Sequence, residues 1–150
     1  MHACAASGAG FLIAVLWFDL MFDVQTRKHI GDELPAEVLS SLSAYYRRVT
    51  IEAWPMNRLI AVVMGLTLLA IIAEIAQNGD HWWVEWVSLA AAASAIGLAR
   101  ARTVPNAVLL GRAADSRDIQ TRLARLIFRD HLYCLAAMVV LLGLQLSTLL

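Results

Sequence analysis

Four stretches of the chain, 8–24, 55–77, 82–98 and 131–150, are apolar over about 20 residues each, the length an α-helix needs to cross the hydrocarbon core of a bilayer. Only helices and closed barrels satisfy their backbone polar groups in lipid, and runs of this length select the helix. The expected fold is all-α: a four-transmembrane-helix bundle forming a single integral membrane domain over residues 1–150. Composition agrees, since 60% of the residues are hydrophobic and only 16% charged, which moves the chain away from soluble domains. Residues 1–10 contain no Lys or Arg, so the first stretch lacks the positive n-region of a secretory leader and reads as a retained span.

Formal charge is zero overall, but the twelve basic residues fall in two connections. Arg27, Lys28, Arg47, Arg48 and Arg58 lie between or at the edges of the first two spans, and the other seven, Arg100 to Arg129, between the third and fourth. The positive-inside rule makes those connections cytoplasmic and puts both termini outside the cytoplasm, in a multi-pass protein of the cell membrane. Asp115, Asp118 and Asp130 interleave with the second basic group, so the expected partner is membrane lipid, anionic lipid included, and not nucleic acid. Cys4 and Cys134 fall at opposite ends of this topology and form no disulfide, zinc or redox motif.

Both basic connections are patterned as amphipathic interfacial helices on the cytoplasmic side. After Pro35, Val38, Leu42, Tyr45 and Val49 recur at helical spacing, with acids early and Arg47 and Arg48 late, as the helix dipole prefers. In the second, Ile119, Leu123 and Leu126 share a face, with Asp115 as the expected cap. The two halves look alike, "NRLIAVVMGLTLLAIIA" against "DHLYCLAAMVVLLGLQL", which pairs Asn57-Arg58 with Asp130-His131. The small residues of "SLAAAASAIGLARA" give the third span a face for close packing.

The stretch "LWFDLMFDVQ" places Asp19 and Asp23 one turn apart inside the first span, where an ionised Asp costs about 2.5 to 3.5 kcal/mol on insertion scales. At the same expected level lie Asn57 and Arg58 of the second span, Arg100 of the third, and Arg129, Asp130 and His131 of the fourth. Asp19, Asp23, Asn57, Arg58 and His131 are the candidate catalytic residues, with Arg58, Arg100 or Arg129 as counter-ion and His131 as proton acceptor or donor. The alternative is an ion-paired layer that only fixes helix register. A second group, His2, Glu74, His81 and Glu85, lies toward the other end, but nothing in its spacing specifies a metal, and Trp82, Trp83 and Trp86 read as an aromatic belt. No pair of histidines is placed to hold haem between spans, and no cofactor is expected.

Pro55-Met56-Asn57-Arg58, "RTVPNAVLLGRA" and "FRDHLYCLAAMVVLL" give the chain a layout that resembles the anthrone-oxygenase-like family of small four-span membrane proteins. The resemblance implies cofactor-independent oxygenation of a polycyclic anthrone to an anthraquinone, with His131 or Asn57 deprotonating the substrate. Two readings follow: an enzyme acting on a lipophilic aromatic or quinone-like molecule, or a non-catalytic accessory subunit that assembles with other membrane subunits or with itself.

Overall fold

The chain has three prolines, Pro35, Pro55 and Pro105, and each stands at the start of a helix, where its missing N–H is not needed. The computed structural model describes residues 1–29, 31, 33–77 and 82–148, and among these every regular element is helical. They are α1 (His2–Asp23), α2 (Ala36–Arg47), α3 (Trp54–Ala76), α4 (Trp82–Leu98), α5 (Val104–Arg112) and α6 (Arg117–Ser147). A 3₁₀ turn, Val24–Lys28, continues α1, and π turns at Arg48–Glu52 and Ala99–Thr103 precede the two later prolines. In each π turn an N–H reaches back five residues, Ala53 to Arg48 and Val104 to Ala99, a widening that carries the chain into a proline-bearing first turn.

Four helical stretches are long and apolar enough to cross a membrane: His2–Lys28, Trp54–Ala76, Trp82–Arg112 and Arg117–Ser147. Their limits differ from the sequence expectation in three places. The first starts at His2, not residue 8, because Ala5, Ala6 and Ala9 are already packed inside the bundle. The third continues past residue 98 into α5. The second expected amphipathic segment is not a separate helix but the first half of α6, a rod of about 46 Å at 1.5 Å per residue. No Pro or Gly interrupts α6 before Gly143, and its buried side chains run unbroken at three- and four-residue spacing: Thr121, Ala124, Ile127, His131, Cys134, Met138, Leu141 and Gln145. The helix cap there is Ser116, not Asp115.

Two apolar cores form along that rod. One gathers Ala5, Ala9, Leu12, Ala70, Ile71, Ala92, Ala95, Cys134, Met138 and Leu141 from α1, α3, α4 and α6. It is tight where α1 meets α3: a Cβ added at Gly8 would lie 2.1 Å from Thr67 Oγ1, so the two helices nearly touch. The other core joins α2, α5 and the start of α6 through Leu39, Leu42, Tyr46, Ala107, Leu110, Leu123, Ala124 and Ile127. Here α2 is rotated from its expected face. Leu39, Leu42 and Tyr46 are buried, whereas Val38, Tyr45 and Val49 are only half-buried. The cause is α5, whose Gly111 brings the two backbones together: a Cβ at Gly111 would lie 2.8 Å from the Arg47 nitrogen. Leu34, ahead of α2, is tied to α6 by its N–H donating to Thr121 Oγ1 (3.0 Å) and its carbonyl accepting from Arg117 Nε (2.9 Å).

Outward-facing surfaces carry Trp17, Phe18 and Met21 on α1, and Leu59, Val62, Leu66 and Leu69 on α3, all exposed. Exposed apolar bands of this kind need lipid or a partner to cover them. The expected turn at residues 78–81 and the end of the last span, 149–150, lie outside the described residues.

Candidate functional site

Between the two cores, one residue before Leu132 turns outward, α6 presents His131 to the last turn of α1. Asp19 and Asp23 share a face of α1, as four-residue spacing requires, and both reach this imidazole. His131 Nδ1 lies 2.7 Å from Asp23 Oδ2, and Nε2 lies 3.8 Å from Asp19 Oδ2. The first is a hydrogen bond in which Nδ1–H donates; the second is a charge contact. Asp23 is fully buried, and Asp19 retains 18% of its side-chain exposure.

The other carboxylate oxygens are satisfied by α2. Tyr45 OH donates to Asp19 Oδ1 at 2.7 Å, and Tyr46 OH donates to Asp23 Oδ1 at 2.5 Å. Phe22 stacks on Tyr45 with ring centroids 3.9 Å apart, and Thr26 Oγ1 donates to the Asp23 carbonyl, which closes the end of α1. Burial, followed by the negative charge of the carboxylate each one faces, pushes both phenols above their ordinary proton affinity, so both remain donors.

Of the residues expected in this cluster, Asp19, Asp23 and His131 come together and Asn57 and Arg58 do not. Asn57 Nδ2 donates to the Thr50 carbonyl at 3.0 Å, closing the π turn before α3. Arg58 lies over the Trp54 ring, 4.5 Å from its centroid. Nor does Arg58, Arg100 or Arg129 make a described ion pair with Asp19 or Asp23; the hydroxyls and the imidazole take that role. The arginine that pairs in this region is Arg102, with Asp130: Nε donates to Oδ2 at 2.9 Å, Nη2 to Oδ1, and Thr103 Oγ1 adds a third bond at 3.2 Å. Tyr45 and Tyr46 escaped the sequence reading because a tyrosine on an amphipathic helix ordinarily reads as packing. The available signal was Asp19, an acid in an apolar helix with no basic residue one turn away, which must find donors on another element.

At the other end of the bundle, His2 Nδ1 lies 2.8 Å from Gln145 Oε1 and 3.3 Å from Glu74 Oε2, while Gln145 Nε2 donates to Glu74 Oε2 (3.1 Å) and Ser88 Oγ (3.2 Å). Glu85 is buried nearby in sequence on α4, and His81 lies outside the described residues. Among the described residues no group of three or more His, Cys, Asp or Glu side chains is arranged to hold a metal ion. Cys4 is exposed and Cys134 buried, both as free thiols.

By length and composition these helices form an all-α bundle that fits a multi-pass membrane protein, with a His–carboxylate–tyrosine cluster inside it. No protein-family model, curated protein or solved structure matches the chain.

Proposed function

We propose that the protein is a small membrane enzyme that moves a proton between a lipophilic aromatic substrate and the His131 dyad. The observation that carries this reading is the placement of one imidazole between two carboxylates, hydrogen-bonded to the buried one and 3.8 Å from the accessible one. Asp23 fixes the ring and favours the Nδ1–H tautomer, which leaves Nε2 as the base facing Asp19. Asp19 lies beside exposed Phe18 and Phe22, a lipid-facing surface from which an apolar molecule can approach.

The anthrone-oxygenase-like resemblance supplies the reaction. Loss of a proton from an anthrone gives an anion that dioxygen oxidises, and one anthrone and one O₂ yield one anthraquinone and one water. In this reading Asp19 and His131 receive the proton, Asp23 is a positioning residue, and Asn57, held by Thr50, has no part. Membranes containing the protein should convert a tricyclic anthrone to its quinone, followed by absorbance. Asp19→Asn and His131→Ala should each abolish turnover while the folded protein still accumulates, and the double variant should be hardly worse than either. Full turnover in either single variant would sink the proposal.

The second reading, a non-catalytic subunit, is favoured by a different observation. The cavities of 610 Å³ and 420 Å³ are lined by other residues and not by Asp19, Asp23 or His131. It expects wild-type and Asp19→Asn protein to show the same zero turnover.

A further inference from the structure

The larger of those cavities lies away from the proton site, along the opposite flank of α2. Ala36, Ser40, Ser43 and Arg47 follow one another at three- and four-residue steps, with Ala44 beside them, so they form one stripe of the helix. Their small side chains leave a trough of 610 Å³ between α2 and the first turn of α6, within the size range of small-molecule sites.

The polar lining is unequal in charge. Arg47, Arg48 and Arg117 face Glu52 within the trough, and Glu33 beside it pairs with Arg117, which leaves one positive charge. Two of the guanidinium groups are fixed by their inner nitrogens: Arg47 Nε donates to the Gly111 carbonyl at 3.1 Å, and Arg117 Nε donates to the Leu34 carbonyl at 2.9 Å, with Glu33 Oε2 3.5 Å from the same nitrogen. Their terminal nitrogens make no hydrogen bond among the described residues. They are therefore held in place with their fork-shaped donor edges unused. Beside them, Ser43, only 6% exposed, has a hydroxyl with no partner. A buried hydroxyl usually finds an acceptor, and on a helix it has the carbonyl four residues back within reach.

We infer that this trough binds a phosphate monoester group, taken as the dianion. A carboxylate offers two oxygens; a phosphate monoester offers three terminal oxygens and nearly two charges, which suits several guanidinium edges and one hydroxyl in a trough of net positive charge. The group can arrive on a soluble metabolite or on the headgroup of a lipid such as phosphatidic acid, and the chemistry recognised is the same. Arg48 and Arg117 supply charge-assisted bonds from either end of the trough, and Ser43 Oγ–H donates from its floor.

The test uses the full chain purified in a neutral detergent, with two probes: inorganic phosphate, and nanodiscs of phosphatidylcholine doped with phosphatidic acid. Binding is read by calorimetry and by the thermal midpoint, against chloride at equal ionic strength. Saturable binding of phosphate alone identifies a soluble source, and binding confined to phosphatidic acid identifies the lipid; each supports the site. Arg48→Gln and Arg117→Gln should weaken binding by about tenfold each, and Ser43→Ala by a few-fold, as expected for charged and neutral hydrogen bonds respectively. Arg117 also holds Leu34, so Arg48→Gln and Ser43→Ala, which remove no described hydrogen bond, keep the test decisive if Arg117→Gln is unstable. Absence of saturable binding to both probes, or binding that Arg48→Gln and Ser43→Ala leave unchanged, overturns the inference.

Discussion

Removing a single hydroxyl from α2 should reveal how the aspartates are tolerated. Tyr46 is 2% exposed and its OH donates at 2.5 Å to a carboxylate that is fully buried. Tyr46→Phe keeps the ring and its packing, so no cavity term enters. What is lost is one bond to a charged group, leaving Asp23 Oδ1 without a donor, a loss of about 1.5 to 3 kcal/mol. Tyr45→Phe removes the equivalent bond from Asp19, but both partners are partly exposed and another donor can replace it, so the loss should stay below about 1 kcal/mol. The five tryptophans report unfolding, and a titration with denaturing detergent in mixed micelles gives both free energies. Asp23→Asn should then offset much of the Tyr46→Phe loss, because a neutral amide no longer demands the same donor; the double-mutant cycle isolates that coupling. Equal losses from Tyr45→Phe and Tyr46→Phe, or zero coupling between Tyr46 and Asp23, would refute the view that phenol hydroxyls stabilise these acids.

Gly111→Ala should cost about 1 to 3 kcal/mol in the same titration, because its Cβ meets backbone at 2.8 Å, whereas Gly97→Ala, with open space around it, should gain up to about 1 kcal/mol. The opposite order would mean that α2 and α5 are not in backbone contact. Stability should hold below about pH 10 and fall above it, since the unfolded chain there loses tyrosine protons that the fold retains; for buried Tyr46 the slope approaches about 1.4 kcal/mol per pH unit. Tyr46→Phe should flatten that alkaline limb, and an unchanged limb would reject the assignment. A reporter fused after Leu150 should be outside the cytoplasm and one inserted near Ser116 inside it, with Cys4 accessible to an impermeant thiol reagent and Cys134 not; reversed reporters would invert the proposed orientation.

Helix content and the number of membrane-length helices were legible because lipid-length apolar runs admit few alternatives. Asp19, Asp23 and His131 could be grouped from one-dimensional depth alone, since four-residue spacing and helical rise place them at one level. Depth does not specify azimuth. Asn57 and Arg58 share the level yet face the π turn and Trp54, and only packing decides that. The rotation of α2 was hidden for a related reason: its periodicity marks an apolar stripe, but Gly111 on a distant helix determines which flank goes deepest. Continuity of α6 through its amphipathic half was visible in the absence of Pro and Gly, though the change in composition at residue 131 suggested a boundary that the backbone ignores.

Asp130 and His131 are neighbours on α6 that hold their partners in physically different ways. The guanidinium of Arg102 is half exposed, with side-chain exposure of 51%, so mobile ions reach its bond to Asp130 and weaken it within a Debye length of about 10 Å at moderate salt. Asp23 of α1 is fully buried and held by a hydroxyl dipole and a buried ring, so screening by salt reaches it far less. Ionic strength therefore acts on one residue of the turn and passes over the next: the π turn at Ala99–Thr103 loses part of its hold on α6 in brine while α1 stays fastened to it.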